Sequence, residues 1–283
     1  MKLREPLLPS SVVPSRRLLF GRIPLVKAVS TAIGLPLFVV LLYTLPGTLF
    51  ALLISLIAAL GVWEFGHLAG LDHGDRWRTA FVGGVLPLAM YWGPHHLLPL
   101  LVCGLLLLLL AGDLFGGRDV RESMGRITLA VFGVLYVAWL LGFIVLLRAM
   151  PAGQATVIWL FVATWGGDLG AGVTGMLMGR HHLPPRINAR KTWEGIIGGV
   201  VVSVVATLLL APEVLLLDEV GLLVVGLLVG LAAQAGDLSE SLLKRSVGAV
   251  DSGAFVPGQG GVLDRIDSLL FTAPVAYALV ALF

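Results

Sequence analysis

The chain has 283 residues, of which 58% are hydrophobic and only 13% charged, and its mean hydropathy is +0.97. A soluble domain carries about 25% charged residues, so the composition excludes an ordinary water-soluble fold and points to a polytopic membrane protein. A net charge of +2 is too small for a nucleic-acid binder, and the one cysteine, Cys103, lies in an apolar run where it forms neither an internal disulfide nor a cysteine metal cluster.

Residues 1–26 read as a polar N-terminal arm containing Glu5, Pro6, Pro9 and Pro14. No cleavable signal peptide is expected, because the first apolar run is already of membrane length. About nine apolar segments follow, at approximately 27–45, 47–70, 79–93, 95–112, 127–148, 155–178, 195–211, 219–236 and 268–283. Crossing the hydrocarbon core as a helix takes about 20 residues, so the third, seventh and ninth are the shortest candidates. The expected fold is all-α. Residues 27–150 form an N-terminal set of transmembrane helices, and 151–283 form a C-terminal set that carries the polar motifs. No internal repeat is visible.

The basic residues orient this layout. With the N-terminus in the cytoplasm, the arm places Lys2, Arg4, Arg16, Arg17, Arg22 and Lys27 inside. Alternate loops add Arg76 and Arg78; Arg118, Arg121 and Arg126; Arg180, Arg186, Arg190 and Lys191; and Lys244, Arg245 and Arg265. Of the 19 basic residues, Arg148 alone falls outside, and the outer loop 212–218 is acidic, with Glu213 and Asp218. This is the positive-inside asymmetry. It implies an odd number of spans, an outward C-terminus and the richest polar loops on the cytoplasmic side. The compact length and lack of targeting sequences favour a bacterial inner membrane.

Polar residues along the chain differ in how much they say. Glu64 reads as a helix-end carboxylate. His95-His96 and His181-His182 are adjacent pairs that one helix face does not present together, so both read as loop residues. Asp168 interrupts the sixth apolar run, and an acid so placed faces a cavity or a partner. Arg190 and Lys191, within Asn188-Ala189-Arg190-Lys191-Thr192-Trp193-Glu194-Gly195, suit a phosphate; two basic residues in an inner loop also satisfy topology alone.

The densest cluster comes last. If the eighth helix continues past its apolar part, Asp237, Glu240, Ser241 and Lys244 share one face. Arg245 and Asp251 follow. The turn Pro257-Gly258-Gln259-Gly260-Gly261 offers backbone N–H groups to an anion. Asp264 and Asp267, with Arg265 between them, then share a face at the start of the last helix. Carboxylates at one-turn spacing grip a divalent cation, and Mg²⁺ bound to phosphates takes only one or two of them. The competing reading is a set of solvated helix ends with an ordinary Glu240–Lys244 pair.

These residues resemble the signature of the phosphatidate cytidylyltransferases, or CDP-diacylglycerol synthases. Ser241, Lys244, Arg245, Asp251, Gly260, Gly261, Asp264, Arg265 and Asp267 fall in register with it, as do Gly236-Asp237 upstream and Lys191-Thr192-Trp193-Glu194-Gly195. The likeness covers the C-terminal half; the N-terminal half matches only as membrane helices. The resemblance implies CTP and phosphatidate as substrates, membrane lipids around them, and Mg²⁺ with room for a second cation. It implies Asp237, Asp264 and Asp267 as metal-binding and catalytic acids with Asp168 as a fourth, and Lys244 as catalytic. Arg190, Lys191, Ser241, Arg245, Asp251, Gly260, Gly261 and Arg265 would bind substrate. Five positions depart from the pattern: Val250 replaces a Lys, Gln259 a His, Asn188-Ala189 a Ser-Pro pair, and Arg190 a Lys. A phospholipid binder without activity and a transporter with broken helices remain alternatives, and oligomeric state stays open, a homodimer included.

Overall fold

The computed structural model describes residues 40–41, 43–94, 97–115, 120–249 and 261–282. Eight long helices account for most of them: α1 (Gly47–Leu68), α2 (His73–Trp92), α3 (Leu97–Phe115), α4, α5 (Gly153–Met178), α6 (Trp193–Leu210), α7 (Glu219–Ser246) and α8 (Leu263–Leu282). Helix α4 has three parts, Val120–Gly133, a π-helical turn Val134–Trp139, and Leu140–Ala149. Single helical turns, Pro185–Asn188 and Pro212–Leu215, interrupt two of the loops. The described residues contain no strand beyond the isolated bridge of His182 with Thr192.

Seven of these helices are long and apolar enough to cross a membrane, all except α2. Seven of the nine expected segments therefore have a matching span among the described residues. The predicted segment 27–45 lies almost wholly outside them. The segment 79–93 is helical, but its helix begins earlier, at His73, and carries Asp75, Arg76 and Arg78, which pull its first turns out of an apolar range. One further boundary moves: α7 runs past its apolar end at 236 to Ser246, while α8 starts at Leu263, in keeping with Asp264 and Asp267 at the start of the last helix. Apolar runs end at their first charge, whereas a helix continues wherever its charges find partners.

Local chemistry sets the ends. Asp72 accepts a 2.8 Å bond from the N–H of Asp75 and caps α2, after a turn through Gly70, whose φ of +71° suits glycine. Thr192 caps α6 by accepting from Gly195 N at 3.1 Å, and Asp218 caps α7 by accepting from Gly221 N at 2.9 Å.

Small residues let the C-terminal helices close on one another, since hydrocarbon supplies no hydrophobic force between helices. A Cβ on Gly199 of α6 would lie 2.8 Å from the carbonyl O of Gly167 in α5. One on Gly226 of α7 would lie 2.8 Å from Cα of Val204 in α6. Buried hydroxyls add cross-links: Ser203 Oγ donates to Ala163 O (2.8 Å), Thr164 bonds Thr272 (3.0 Å), and Trp159 Nε1 donates to Thr207 Oγ1 (3.1 Å). The apolar core runs from Phe50, Ile54 and Leu86 through Leu141 and Ile144 to Trp159, Leu160 and Leu269. Helix α3, by contrast, exposes Leu100, Leu106, Leu107, Leu108 and Leu110, the surface expected against lipid. Successive helices alternate in direction. The loop 179–192, the end of α7 and the start of α8 consequently meet at one end of the molecule, and Arg148 bonds Leu45 O at the other.

Candidate functional site

The site is assembled where α7 outlasts its apolar part. Lys244, one turn from the end of that helix, sits between two carboxylates: Glu240 Oε2 at 2.6 Å on its own helix and Asp264 Oδ1 at 2.7 Å on α8. Glu240 is only 1% exposed, so the pair is a buried tie rather than the solvated i, i+4 couple that spacing alone suggests. Asp264 uses its other oxygen, Oδ2, to accept from Gly261 N at 2.8 Å. The start of α8 is thereby stitched to the end of α7.

A second pair lies on the same face of α7. Asp237 pairs with Lys191, delivered by the 179–192 loop. Asn188 Nδ2 donates to Ser241 Oγ at 3.1 Å, seating that loop on α7 a turn further along. Glu194 holds the loop's other strand: it accepts from the backbone N–H of Arg180 and His181, each at 3.2 Å, and lies 2.5 Å from His181 Nδ1. His181 is thus a loop residue tied to a carboxylate, as expected, while the His95-His96 pair lies outside the described residues.

Asp168 of α5 and Asp267 of α8 complete the acidic set. Asp267 is buried and accepts from Ser268 N at 2.7 Å. Asp168, Asp237 and Asp267 are near enough to act on one another's charge. Glu240 Oε1 is buried with no hydrogen-bond partner among the described residues, and the Ser268 side chain lies within hydrogen-bonding reach of Asp168. Unpaired buried acceptors are uncommon, and buried carboxylates this near one another suit something cationic or proton-bearing. Among the described residues no three His, Cys, Asp or Glu side chains form an all-protein metal cage. Carboxylates with open oxygens nevertheless suit Mg²⁺, which keeps water and phosphate oxygens in most of its shell.

Of the residues singled out in the sequence, the structure brings together Asp168, Lys191, Asp237, Ser241, Lys244, Asp264 and Asp267. Gly261 contributes its N–H to Asp264. Arg190, Arg245 and Arg265 are exposed, apart from the ion pairs of Lys191 and Lys244. Asp251 and Gly260, with Val250 and Gln259, lie outside the described residues. Nothing in the sequence signalled Ser268 or Tyr136, Glu64 read as a helix-end carboxylate, and Asn188 stood out only as a departure from the family pattern. Tyr136 sits in the π-helical turn of α4, is buried, and comes within electrostatic reach of Glu240 and Asp267. Its place in an apolar run carried no signal.

A helical bundle suited to the membrane, with carboxylates and ammonium groups gathered at one end, defines an integral membrane protein with a charged site. The chain belongs to the Cytidylyltransferase family, which matches residues 26–283. It is 34% identical to the phosphatidate cytidylyltransferase of Pseudomonas aeruginosa over 272 residues, covering 90% of this chain and 96% of that one. It is 38% identical to the uncharacterized protein YnbB of Escherichia coli over 53% of this chain and 49% of that one. With the phosphatidate cytidylyltransferase of Brucella suis it shares 42% identity over 47% of this chain and 49% of the relative.

Proposed function

We propose that the chain is a phosphatidate cytidylyltransferase, joining CTP and phosphatidate into CDP-diacylglycerol and pyrophosphate. A phosphate oxygen of the lipid attacks the α-phosphorus of CTP in line. A new P–O bond forms, the bond from the α-phosphorus to the bridging oxygen of the β-phosphate breaks, and pyrophosphate carries away the electron pair. The nucleophile is already an anion, so general-base catalysis contributes little. The barrier lies in bringing two polyanions together, which positioning and fixed positive charge relieve.

The observation that carries this reading is Lys244 held between Glu240 and Asp264 across α7 and α8, beside Lys191 on Asp237. These ammonium groups are poised at the place where phosphates must be neutralised. Asp237, Asp264 and Asp267, with Asp168, would hold Mg²⁺ and room remains for a second cation; the metal would neutralise charge on the triphosphate. Ser241 and Gly261 would orient phosphate oxygens, and the exposed Arg190, Arg245 and Arg265 would gather CTP from solution, with Asp251 and Gly260 completing the nucleotide site. The site faces the cytoplasm of a bacterial inner membrane, where the nucleotide is, and the diacylglycerol tails stay in the bilayer.

The test is a detergent-micelle assay of the purified chain with labelled CTP, phosphatidate and Mg²⁺, beside Asp264→Asn and Asp267→Asn. The parent makes CDP-diacylglycerol and each variant loses at least about 100-fold, the scale on which misplaced charge costs catalysis. Full metal-dependent turnover in either variant would sink the assignment of these acids. A second reading, a relative with changed substrate or lost activity, draws on Val250 and Gln259. An inactive parent that gains turnover as Val250→Lys/Gln259→His would favour it.

A further inference from the structure

The motifs that mark this family lie in α5 to α8, yet a carboxylate from α1 reaches them. Glu64, near the end of α1, is 8% exposed. Its Oε2 accepts a 2.9 Å hydrogen bond from the backbone N–H of Leu263, the first residue of α8. Gly61, almost a turn earlier on the same helix, faces the same place: a Cβ there would lie 3.3 Å from Ile266 Cδ1 and 2.9 Å from Val137 Cγ1. Helix α1 therefore meets the first turn of α8 at two points, one polar and one steric.

The first N–H groups of a helix have no partner within it, and a buried helix start must find acceptors elsewhere. Asp264 takes the N–H of Gly261 and the ammonium of Lys244. The N–H of Leu263 goes to Glu64. A carboxylate also complements the positive end of the helix dipole. Glu64 Oε1 is buried without a hydrogen-bond partner among the described residues, so the bond to Leu263 is what the structure shows the carboxylate doing. Leu263 is wholly buried and directly precedes Asp264. Any tilt or slide of this first turn moves Asp264 and Asp267 together, relative to Lys244 and Glu240 on α7.

We propose that Glu64 is a positioning residue for the cytidylyl-transfer site: its carboxylate caps α8 and sets where Asp264 and Asp267 stand against α7. The proposal rests on the function given above, and its test separates the two. Full-length Glu64→Ala and Glu64→Gln are purified in detergent beside the parent. Steady-state kinetics are measured together with amide hydrogen exchange of the segment 261–270. In Glu64→Ala, kcat falls about 100-fold, the cost of a misplacement of about 1 Å, while KM for CTP stays within about threefold. Exchange in 261–270 quickens at least about 10-fold, and α5 and α6 keep parental protection. Glu64→Gln retains an acceptor oxygen and restores both the protection and most of kcat.

Parental kcat and parental exchange in Glu64→Ala would overturn the proposal. So would a loss of kcat with 261–270 still protected, since the carboxylate would then act on substrate or metal and not through α8. If Glu64→Ala does not fold, Glu64→Gln decides: protection with activity supports the cap, protection without activity overturns it. An inactive parent would count against the assigned reaction, while the exchange data would still judge the cap.

Discussion

At the scale of single residues, Lys244 carries more than its share. Among the described residues it is the one ammonium group that touches carboxylates on both α7 and α8. Its partner Glu240 is buried, and a buried charge is tolerated only with a counter-charge close by. Removing the lysine strands Glu240 and takes from Asp264 its 2.7 Å bond to the ammonium group. Lys244→Met is therefore expected to lower stability by about 3–5 kcal/mol, read as thermal or denaturant unfolding of the detergent-solubilised protein, and to abolish turnover. A variant as stable as the parent would mean that the two carboxylates are neutralised some other way. Lys191 differs, because its partner Asp237 is a quarter exposed and belongs to a loop contact. The residue types of this cluster were legible in advance, since charge this dense is conspicuous in a chain with 13% charged residues. Which charge meets which was not. Glu240 read only as a member of one polar helix face, with an ordinary pair to Lys244 as the competing reading, and Glu64 as a helix end, because spacing along a helix says nothing about a partner from another helix.

At the scale of elements, the crossing of α7 and α8 places the chemistry. A Cβ on Gly236 would stand 2.6 Å from the carbonyl O of Asp267 and 3.0 Å from Cα of Ser268. Both are backbone atoms, so no side chain can rotate away. Gly236→Ala must push the helices apart where Asp237 and Asp267 approach. The expected cost is about 1–3 kcal/mol of stability, together with a disproportionate loss of kcat because the acids separate. Parental kinetics in Gly236→Ala would show that this approach is not needed. The π-helical turn of α4 is the second element with a bearing on the site. Single π turns often mark functional positions, and this one carries the Tyr136 hydroxyl, buried with no hydrogen-bond partner among the described residues. Tyr136→Phe removes no observed bond, so stability should stay within about 1 kcal/mol of the parent; a larger fall in the same unfolding measurement would reveal a partner for that hydroxyl.

At the scale of the whole molecule, alternation of the helices places the 179–192 loop and the α7–α8 junction at one end and the 211–218 loop at the other. The proposed orientation is checked by impermeant maleimide labelling in a Cys103→Ser background, Cys103 being an exposed residue of α3. A cysteine at Glu213 should label in intact cells, and one at Ala189 only after the membrane is opened; the reverse pattern would invert the topology. Composition and the run of apolar segments were enough to determine an all-helical membrane protein, because the bilayer leaves a chain of this hydropathy few other ways to satisfy its backbone. The order of motifs in 188–195 and 236–267 was enough to indicate the family, because those residues lie close together in sequence. The apolar run fell short of its helix where charge continues it, as at Asp237–Ser246. Only the tertiary structure decided that Lys191 meets Asp237, that Lys244 ties α7 to α8, and that a carboxylate from α1 caps the helix bearing Asp264 and Asp267. Those contacts join residues 20 to 199 positions apart. They follow from how glycine-lined helices pack, and local pattern does not encode that packing.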